Sequence, residues 1–204
     1  AGSDDMQPEV AFNTIREAFD TWTRVPTSRL VFEDGGVDAG ATANRRDRRN
    51  VIIFDETGRT LSAPEGSGVI AVTRLNSDVV TGTISDADII YNGRDFRFSS
   101  NPVGAQIDLL DVTIHEIGHL FGLNHTPLSG DPALQPTMNP FYSGSPGEAS
   151  SLSPDDIAGI STMYPTAEHS NTIGTISGVV TNAAASPLFG VHVVAQAADG
   201  SLIS

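Results

Sequence analysis

The chain has 204 residues, 39% of them hydrophobic, and its 11 basic and 25 acidic residues give a formal net charge of −14. This apolar content is enough for a packed core, while so acidic a surface argues against nucleic acid or an anionic membrane as the main partner. The absence of Cys excludes disulfides, thiol nucleophiles and thiolate metal ligands. No apolar run approaches the roughly 18 residues of a membrane span, and residues 1–5 do not have the pattern of a signal peptide.

The predicted elements begin with a helix and continue with strands. Apolar residues recur at helical spacing across residues 9–23, with Pro8 near the first turn. Short β-branched runs separated by Gly, Asp and Asn then predict four strands, at residues 30–32, 51–54, 69–73 and 87–91.

Two further helices are predicted in the second half. Residues 108–123 form an apolar periodic run with Asp108 as a plausible N-cap. Ser153 and Pro154 carry the start signals of another helix, which Pro165 ends. One helix, several strands and then two helices indicate an α+β fold.

The last part of the chain has a different pattern. Residues 166–174 have the composition of a linker, and residues 176–181 and 191–197 are β-branched or alternating runs followed by a third run up to Ser204. Two or three strands are too few for independent stability. We therefore divide the chain into a main domain at 1–165, a linker at 166–174 and a truncated β-rich segment at 175–204.

The chemistry is concentrated in residues 115–125. His115 and His119 are four residues apart, so on a helix both imidazoles project from one face and can share a tetrahedral zinc ion. Glu116 lies beside the first of these ligands, where it can take a proton from an attacking water molecule and return it to a leaving amine.

A third histidine strengthens this interpretation. Gly122 allows a sharp turn after the helix, which would bring His125 back to the same ion. Three His ligands leave a fourth position open, as in catalytic rather than structural zinc sites. The chain has five His residues, and three of them fall on this spacing.

The run H-E-x-x-H-x-x-G-x-x-H, followed by the turn candidate around Met138, resembles the metzincin zinc endopeptidases. Within them, the Met138-x-Pro140-x-Tyr142 segment and the Asp155–Asp156 pair are similar to the matrixins. The resemblance implies that Met138 lies beneath the three His ligands and that the acidic pair braces its turn. Simple helix-start charges are the other interpretation of that pair.

The resemblance also implies an architecture and a mode of substrate binding. The implied fold is metzincin-like: a twisted mixed sheet with an edge strand over the cleft, at about residues 68–73, together with an active-site helix, a Met-turn and a C-terminal helix. An extended polypeptide would pair with this edge as an added strand. The expected substrate-binding residues come from the edge strand and from the turn: Val69, Ile70, Ala71, Met138, Pro140, Phe141 and Tyr142.

The sequence also departs from the vertebrate members of that family. No His precedes His115, so the second, structural zinc of those proteins is not expected, and a bacterial-type matrixin is the closer resemblance. Family calcium sites would find oxygen ligands at Asp78, Asp86, Asp88 and Asn92, although Asp is also a common turn residue. The tail resembles the first strands of a carboxypeptidase-regulatory-like β domain.

These observations predict a secreted or extracellular monomeric endopeptidase with one catalytic zinc. A zinc-binding cell-surface or adhesion module without activity is the alternative from another class. An exopeptidase on the same metal is a third interpretation, and it would need a charged residue to hold a substrate terminus.

Overall fold

The first helix forms where the sequence combines a stripe of apolar residues with a proline in the first turn. The computed structural model describes residues 3–44, 46–128, 135–145, 147 and 150–204, and in it helix α1 spans Pro8–Thr23. Pro occupies the first turn, where a missing N–H costs no helical hydrogen bond. Ala11, Ala18 and Trp22 are buried along one face. This confirms the predicted helix to within one residue.

The remaining elements are short strands and three further helices. In chain order they are β1 (Ile52–Phe54), β2 (Ala71–Ser77), β3 (Ile84–Tyr91), β4 (Phe98–Ser99), β5 (Ile107–Asp108), α2 (Leu109–Leu120), α3 (Pro154–Met163), α4 (His169–Thr172), β6 (Ala195–Gln196) and β7 (Leu202–Ile203). The predicted α+β class is confirmed.

A mixed three-stranded sheet forms the frame of the main domain. The strand order is β1-β3-β2, with β1 parallel and β2 antiparallel to the central strand β3. Strand β2 is therefore an edge, with Ala71 opposite Tyr91 and Thr73 opposite Ile89. Just before it, the carbonyls of Val69 and Ile70 accept hydrogen bonds from Asn92, so these residues continue the line of the edge strand.

Helix α2 is held at its start by a cap and along its length by the core. The Asp108 side chain accepts a hydrogen bond from the backbone N–H of Leu110, which satisfies one of the unpaired donors of the first turn. Ile114 and Ile117 are fully buried. The indole of Trp22 in α1 donates to the carbonyl of Ile114 at 2.9 Å, which ties the two helices together.

Helix α3 begins with a complete capping box. The Ser153 hydroxyl accepts from the Asp156 N–H, and the Asp156 carboxylate accepts from the Ser153 N–H. The helix ends at Met163, before Pro165, as the sequence predicts.

One predicted strand of the main domain does not form. At residues 30–32, Leu30 is buried, Val31 is exposed and Phe32 stacks on Phe19, so the alternation of a strand is present. However, this segment lies outside every ladder, and the nearest pairing is an isolated bridge between Ser28 and Pro165. The prediction was wrong because a strand needs a partner as well as a pattern.

The tail contains less regular structure than its pattern indicates. Residues 176–181 form no strand apart from one bridge between Thr181 and Pro187, and β6 pairs with β7 over two residues each. Most of the tail's apolar side chains, including Ile176 and Phe189, are exposed. The short helix α4 lies within the predicted linker. Among the described residues, no helix is both long and apolar enough to cross a membrane.

Candidate active site

Three histidine side chains converge at the end of helix α2. His115 and His119 lie one helical turn apart on α2, and Gly122, at a φ of 100°, turns the chain so that His125 approaches the same point. The Nε2 atoms of the three rings lie 3.1 to 3.2 Å apart. The structure thus brings together the three predicted ligands.

The other ring nitrogens of the two helical histidines are held by backbone carbonyls. His115 Nδ1 donates to the carbonyl of Thr137, and His119 Nδ1 donates to that of Leu123, each at 2.7 Å. These bonds place the proton on Nδ1 and leave the Nε2 lone pairs facing one another. Burial lowers the pKa of His115 to about 4 and lowers the pKa values of His119 and His125 as well. Neutral imidazoles are the form that binds metal.

This donor set fits a zinc ion. At zinc–nitrogen distances of about 2.0–2.1 Å, two ligands of a tetrahedral ion lie roughly 3.3 Å apart, close to the separations found here. The lone pairs of His115 and His119 repel each other unless a cation lies between them, and His125 Nε2 is close enough to join them as a third ligand. Within the described part of the chain, these histidines are the one group of three or more acidic or imidazole side chains whose ligand atoms converge.

Glu116 is the buried acid beside this cluster. Its side chain is 5% exposed, and burial raises the pKa of its carboxyl to about 7. A hydrogen bond from the Thr73 hydroxyl to Glu116 Oε2, at 2.6 Å, acts in the opposite direction. A carboxyl with a pKa near neutrality can both accept and return a proton at physiological pH.

The turn that contains Met138 forms the floor below helix α2. Met138 is buried, and its sulfur packs against Gly118, where an added Cβ would overlap it. The Asp156 carboxylate accepts the backbone N–H groups of Thr137 and Met138 at 2.9 and 3.1 Å. Asp155 instead accepts the backbone N–H of Ser204, so the structure assigns the bracing contact to one member of the acidic pair.

An open cleft of about 830 Å³ runs past the histidines. The edge strand contributes Val69, Ile70 and Ala71 to its lining, and the turn contributes Pro140, Phe141 and Tyr142. Met138 does not line this cleft, since it lies beneath it. Six of the seven expected substrate-binding residues therefore face one cavity together with Glu116.

The wall of the cleft beyond the zinc ligands is tied to helix α2. The Tyr142 hydroxyl accepts the backbone N–H of Asp108 at 3.0 Å. Asp111, one turn before His115, also lines the cavity and accepts the N–H of Gly147 at 2.8 Å. Phe141 is 78% exposed and lies at the rim.

The sequence-based reasoning missed Thr73, Asp111 and Gly118. Asp111 lies four residues before His115 on helix α2, so helical periodicity alone could have placed it on the face that carries the ligands. Gly118 lies on the same helix. Thr73 and Glu116 are 43 residues apart, and no local pattern indicates their contact.

The four candidate calcium ligands do not form one cluster. The Asp78 carboxylate accepts the N–H groups of Val80 and Thr81 and so stabilises a turn. The Asn92 side chain bonds to Val69 and Asp95. Asp86 and Asp88 are buried in β3, and each has one carboxylate oxygen without a hydrogen-bond partner among the described residues.

Comparison with known proteins agrees with this geometry. The family profile described as matrixin, Peptidase_M10, matches residues 2–165. Human matrix metalloproteinase-16 is 32% identical over 152 residues, which are 74% of this chain and 23% of that protein. Mouse matrilysin is 27% identical over 164 residues, covering 78% of this chain and 53% of that protein. Metalloendoproteinase 4-MMP of Arabidopsis thaliana is 33% identical over 69 residues, 34% of this chain and 18% of that protein.

The chain thus spans between about a fifth and a half of the length of these relatives. The histidine cluster at His115, His119 and His125 is the zinc site that this family uses. Since the profile covers more than half of the sequence, the chain belongs to the matrixin family of zinc metallopeptidases.

Proposed function

We propose that the chain is a zinc-dependent endopeptidase that cleaves extended polypeptides. The observation that carries the proposal is the convergence of three Nε2 atoms within 3.2 Å of one another beside a buried carboxyl with a pKa of about 7. Ligands for a Lewis acid and a proton carrier thus lie in one open cleft, as hydrolysis of a peptide bond needs.

Metal binding and proton transfer would be carried out by different residues of the cleft. Zinc, when bound, polarises the scissile carbonyl and acidifies water. His115, His119 and His125 hold it, and Glu116 accepts a proton from the attacking water and then donates it to the departing amine. Burial of Glu116 suits both roles because it brings the pKa of the carboxyl close to the working pH.

The edge strand and the turn would hold the substrate. The outer edge of β2 offers backbone N–H and carbonyl groups, to which an extended peptide adds as an antiparallel strand. Val69, Ile70 and Ala71 would line one side, while Pro140, Phe141 and Tyr142 would shape the pocket on the other. Backbone pairing recognises an extended chain with little dependence on its sequence, so side-chain preference would come from the pocket.

An open cleft favours internal cleavage over removal of terminal residues. The described residues that line it include no Arg, and the chain has no Lys, so a cation to hold a terminal carboxylate is not provided there. This lining favours an endopeptidase over a carboxypeptidase.

The decisive experiment is the substitution Glu116→Gln in zinc-loaded protein. We expect the variant to retain one zinc per chain and to lose at least about a hundredfold in hydrolysis of casein or gelatin, the scale on which general-base catalysis contributes. Wild-type protein treated with a chelator serves as the metal-free control. Unchanged activity in Glu116→Gln would contradict the assigned role of Glu116.

The competing proposal is a zinc-binding cell-surface or adhesion module without catalysis. It predicts zinc in the protein but no chelator-sensitive turnover of any protein substrate. We favour the enzyme because Glu116 is present and faces the same cavity as the ligands.

The remaining parts of the proposal concern localisation, oligomeric state, subtype and domain boundaries. A secreted monomer of the bacterial matrixin type, with residues 175–204 starting a carboxypeptidase-regulatory-like β domain, stays our prediction. The division at 165 and 174 and the binding of calcium are likewise predictions, and the β6–β7 pair supports only a β-rich character for the tail.

A further inference from the structure

The edge strand contacts the carboxyl of Glu116 through one residue. Thr73 lies on β2, and its Oγ1 is 2.6 Å from Glu116 Oε2 and 2.9 Å from the carbonyl oxygen of the same residue. The backbone N–H of Thr73 is a second, lesser donor to the same carboxyl. Both oxygens are acceptors when Glu116 is ionised, so the Thr73 hydroxyl is the donor in this contact.

This geometry constrains the Glu116 side chain at its carboxylate. A glutamate has three rotatable side-chain bonds, and a buried one without a partner would sample several rotamers. The single Thr73 hydroxyl proton is donated to one acceptor at a time, and a donor 2.6 Å from Oε2 leaves few of these rotamers accessible. Thr73 is itself fixed, because its backbone is opposite Ile89 in the β2–β3 ladder.

We propose that Thr73 is a positioning residue that holds the Glu116 carboxylate in its working orientation toward the cleft. This inference rests on the proposed function and adds a role for the edge strand. The strand that would bind the substrate backbone also holds the proton carrier, so one element sets the distance between the scissile bond and Glu116. Misplacing a catalytic group by about 1 Å can cost a hundredfold in rate.

The kinetic test compares Thr73→Val with Thr73→Ser in zinc-loaded protein. Valine keeps the shape and removes the hydroxyl, whereas serine keeps the hydroxyl. We expect Thr73→Val to lower kcat by roughly 10- to 100-fold, as for loss of a hydrogen bond to a charged group, with KM nearly unchanged. Thr73→Ser should restore most of kcat.

A matched control is Thr14→Val in α1. Thr14 is a buried threonine, whereas Thr73 is half-buried, and the Thr14 hydroxyl likewise donates to a backbone carbonyl, that of Val10, but away from the cleft. Its substitution should leave kcat unchanged even if it lowers thermal stability. Zinc content, measured for each variant, should equal that of the wild type.

A second readout does not depend on turnover. In the 13C NMR spectrum of zinc-loaded protein, the Glu116 carboxyl resonance is assigned by its loss in Glu116→Gln. We expect Thr73→Val to displace this resonance and Thr73→Ser to leave it close to its wild-type position. If the wild type hydrolyses no peptide but shows this pattern, the proposed function fails while the contact stands.

Two outcomes would overturn the inference. One is a Thr73→Val enzyme with wild-type kcat and an undisplaced Glu116 resonance. The other is a loss of kcat that Thr73→Ser does not restore or that accompanies a loss of zinc, which would show that Thr73 supports the fold rather than Glu116.

Discussion

Asp156 and Asp88 are both buried aspartates, yet their surroundings differ. Asp156 is 1% exposed and accepts hydrogen bonds from the backbone of Thr137, Met138 and Ser153 and from the Ser153 hydroxyl. Asp88 is fully buried, accepts from the N–H of Val51, and has one oxygen without a partner among the described residues. Asp86, two residues away on the same strand, also has one such oxygen.

The difference teaches that burial alone does not decide what a carboxylate contributes. A buried charge is costly unless donors compensate for its lost hydration. Around Asp156 the donors come from two segments of the chain, so the carboxylate joins helix α3 to the turn under the zinc ligands. Around Asp88 the neighbouring charges are other carboxylates, and they oppose ionisation. The same residue type therefore stabilises one region and strains the other.

The largest effect is expected for Asp156→Ala. Its loss leaves the N–H groups of Thr137 and Met138 buried without an acceptor and removes the Asp156 half of the α3 capping box, so we expect the free energy of unfolding to fall by about 3 kcal/mol or more. Chemical denaturation of the zinc-loaded protein measures this. Asp155→Ala is the neighbouring control and should cost clearly less, because Asp155 does not contact the turn. Equal losses in both variants would contradict the bracing role of Asp156.

A smaller effect is expected for Gly118→Ala, which tests how tightly the floor is packed. The new methyl group would overlap the sulfur of Met138 and lie 2.9 Å from Cζ2 of Trp22. We expect a net destabilisation of about 1–2 kcal/mol, since overpacking outweighs the gain in helix propensity. Weaker zinc retention during dialysis against a chelator should accompany it.

Gly159→Ala provides the matched control in α3. Its new methyl group would meet only the end of the Leu123 side chain, at 3.0 Å, and that side chain can move. We expect little change in stability or zinc retention. If Gly118→Ala behaved in the same way, the floor would be more adaptable than the contacts indicate.

The smallest effect is expected for Asp88→Asn, which should raise the free energy of unfolding rather than lower it. Burial raises the pKa of the Asp88 carboxyl above its ordinary value of 3.8, and the carboxylates of Asp86 and Asp47 raise it further. A raised folded-state pKa contributes stability that is complete below the unfolded-state value and is lost as the pH rises through the folded-state value. In chelator-treated protein, Asp88→Asn should therefore gain stability relative to the wild type as the pH rises above about 4.

Bound calcium would reverse this difference in stability between Asp88→Asn and the wild type. A divalent cation beside Asp86 and Asp88 would compensate both carboxylates, so added Ca²⁺ should stabilise the wild type and not Asp88→Asn. Melting temperatures at pH 7 with and without Ca²⁺ measure the difference. An equal response of both proteins would remove Asp88 from the candidate calcium ligands.

Local sequence patterns predicted those features that depend only on residues close together in the chain. The helix starts at Pro8 and Ser153 followed from capping and Pro signals, and the zinc ligands followed from the spacing of three histidines. Residues 30–32 and 176–181 have strand-like patterns, but a ladder depends on a partner that sequence does not specify. The contact between Thr73 and Glu116 was missed for the same reason, since it joins separate elements.

The capping box of α3 has a consequence for the time course of synthesis. Asp156 belongs to the capping box of this helix and also holds the Met138 turn, so the turn is not secured until the start of α3 has left the ribosome. The histidine ligands on α2 emerge well before that point. A growing chain therefore displays its metal ligands early but completes the support below them late.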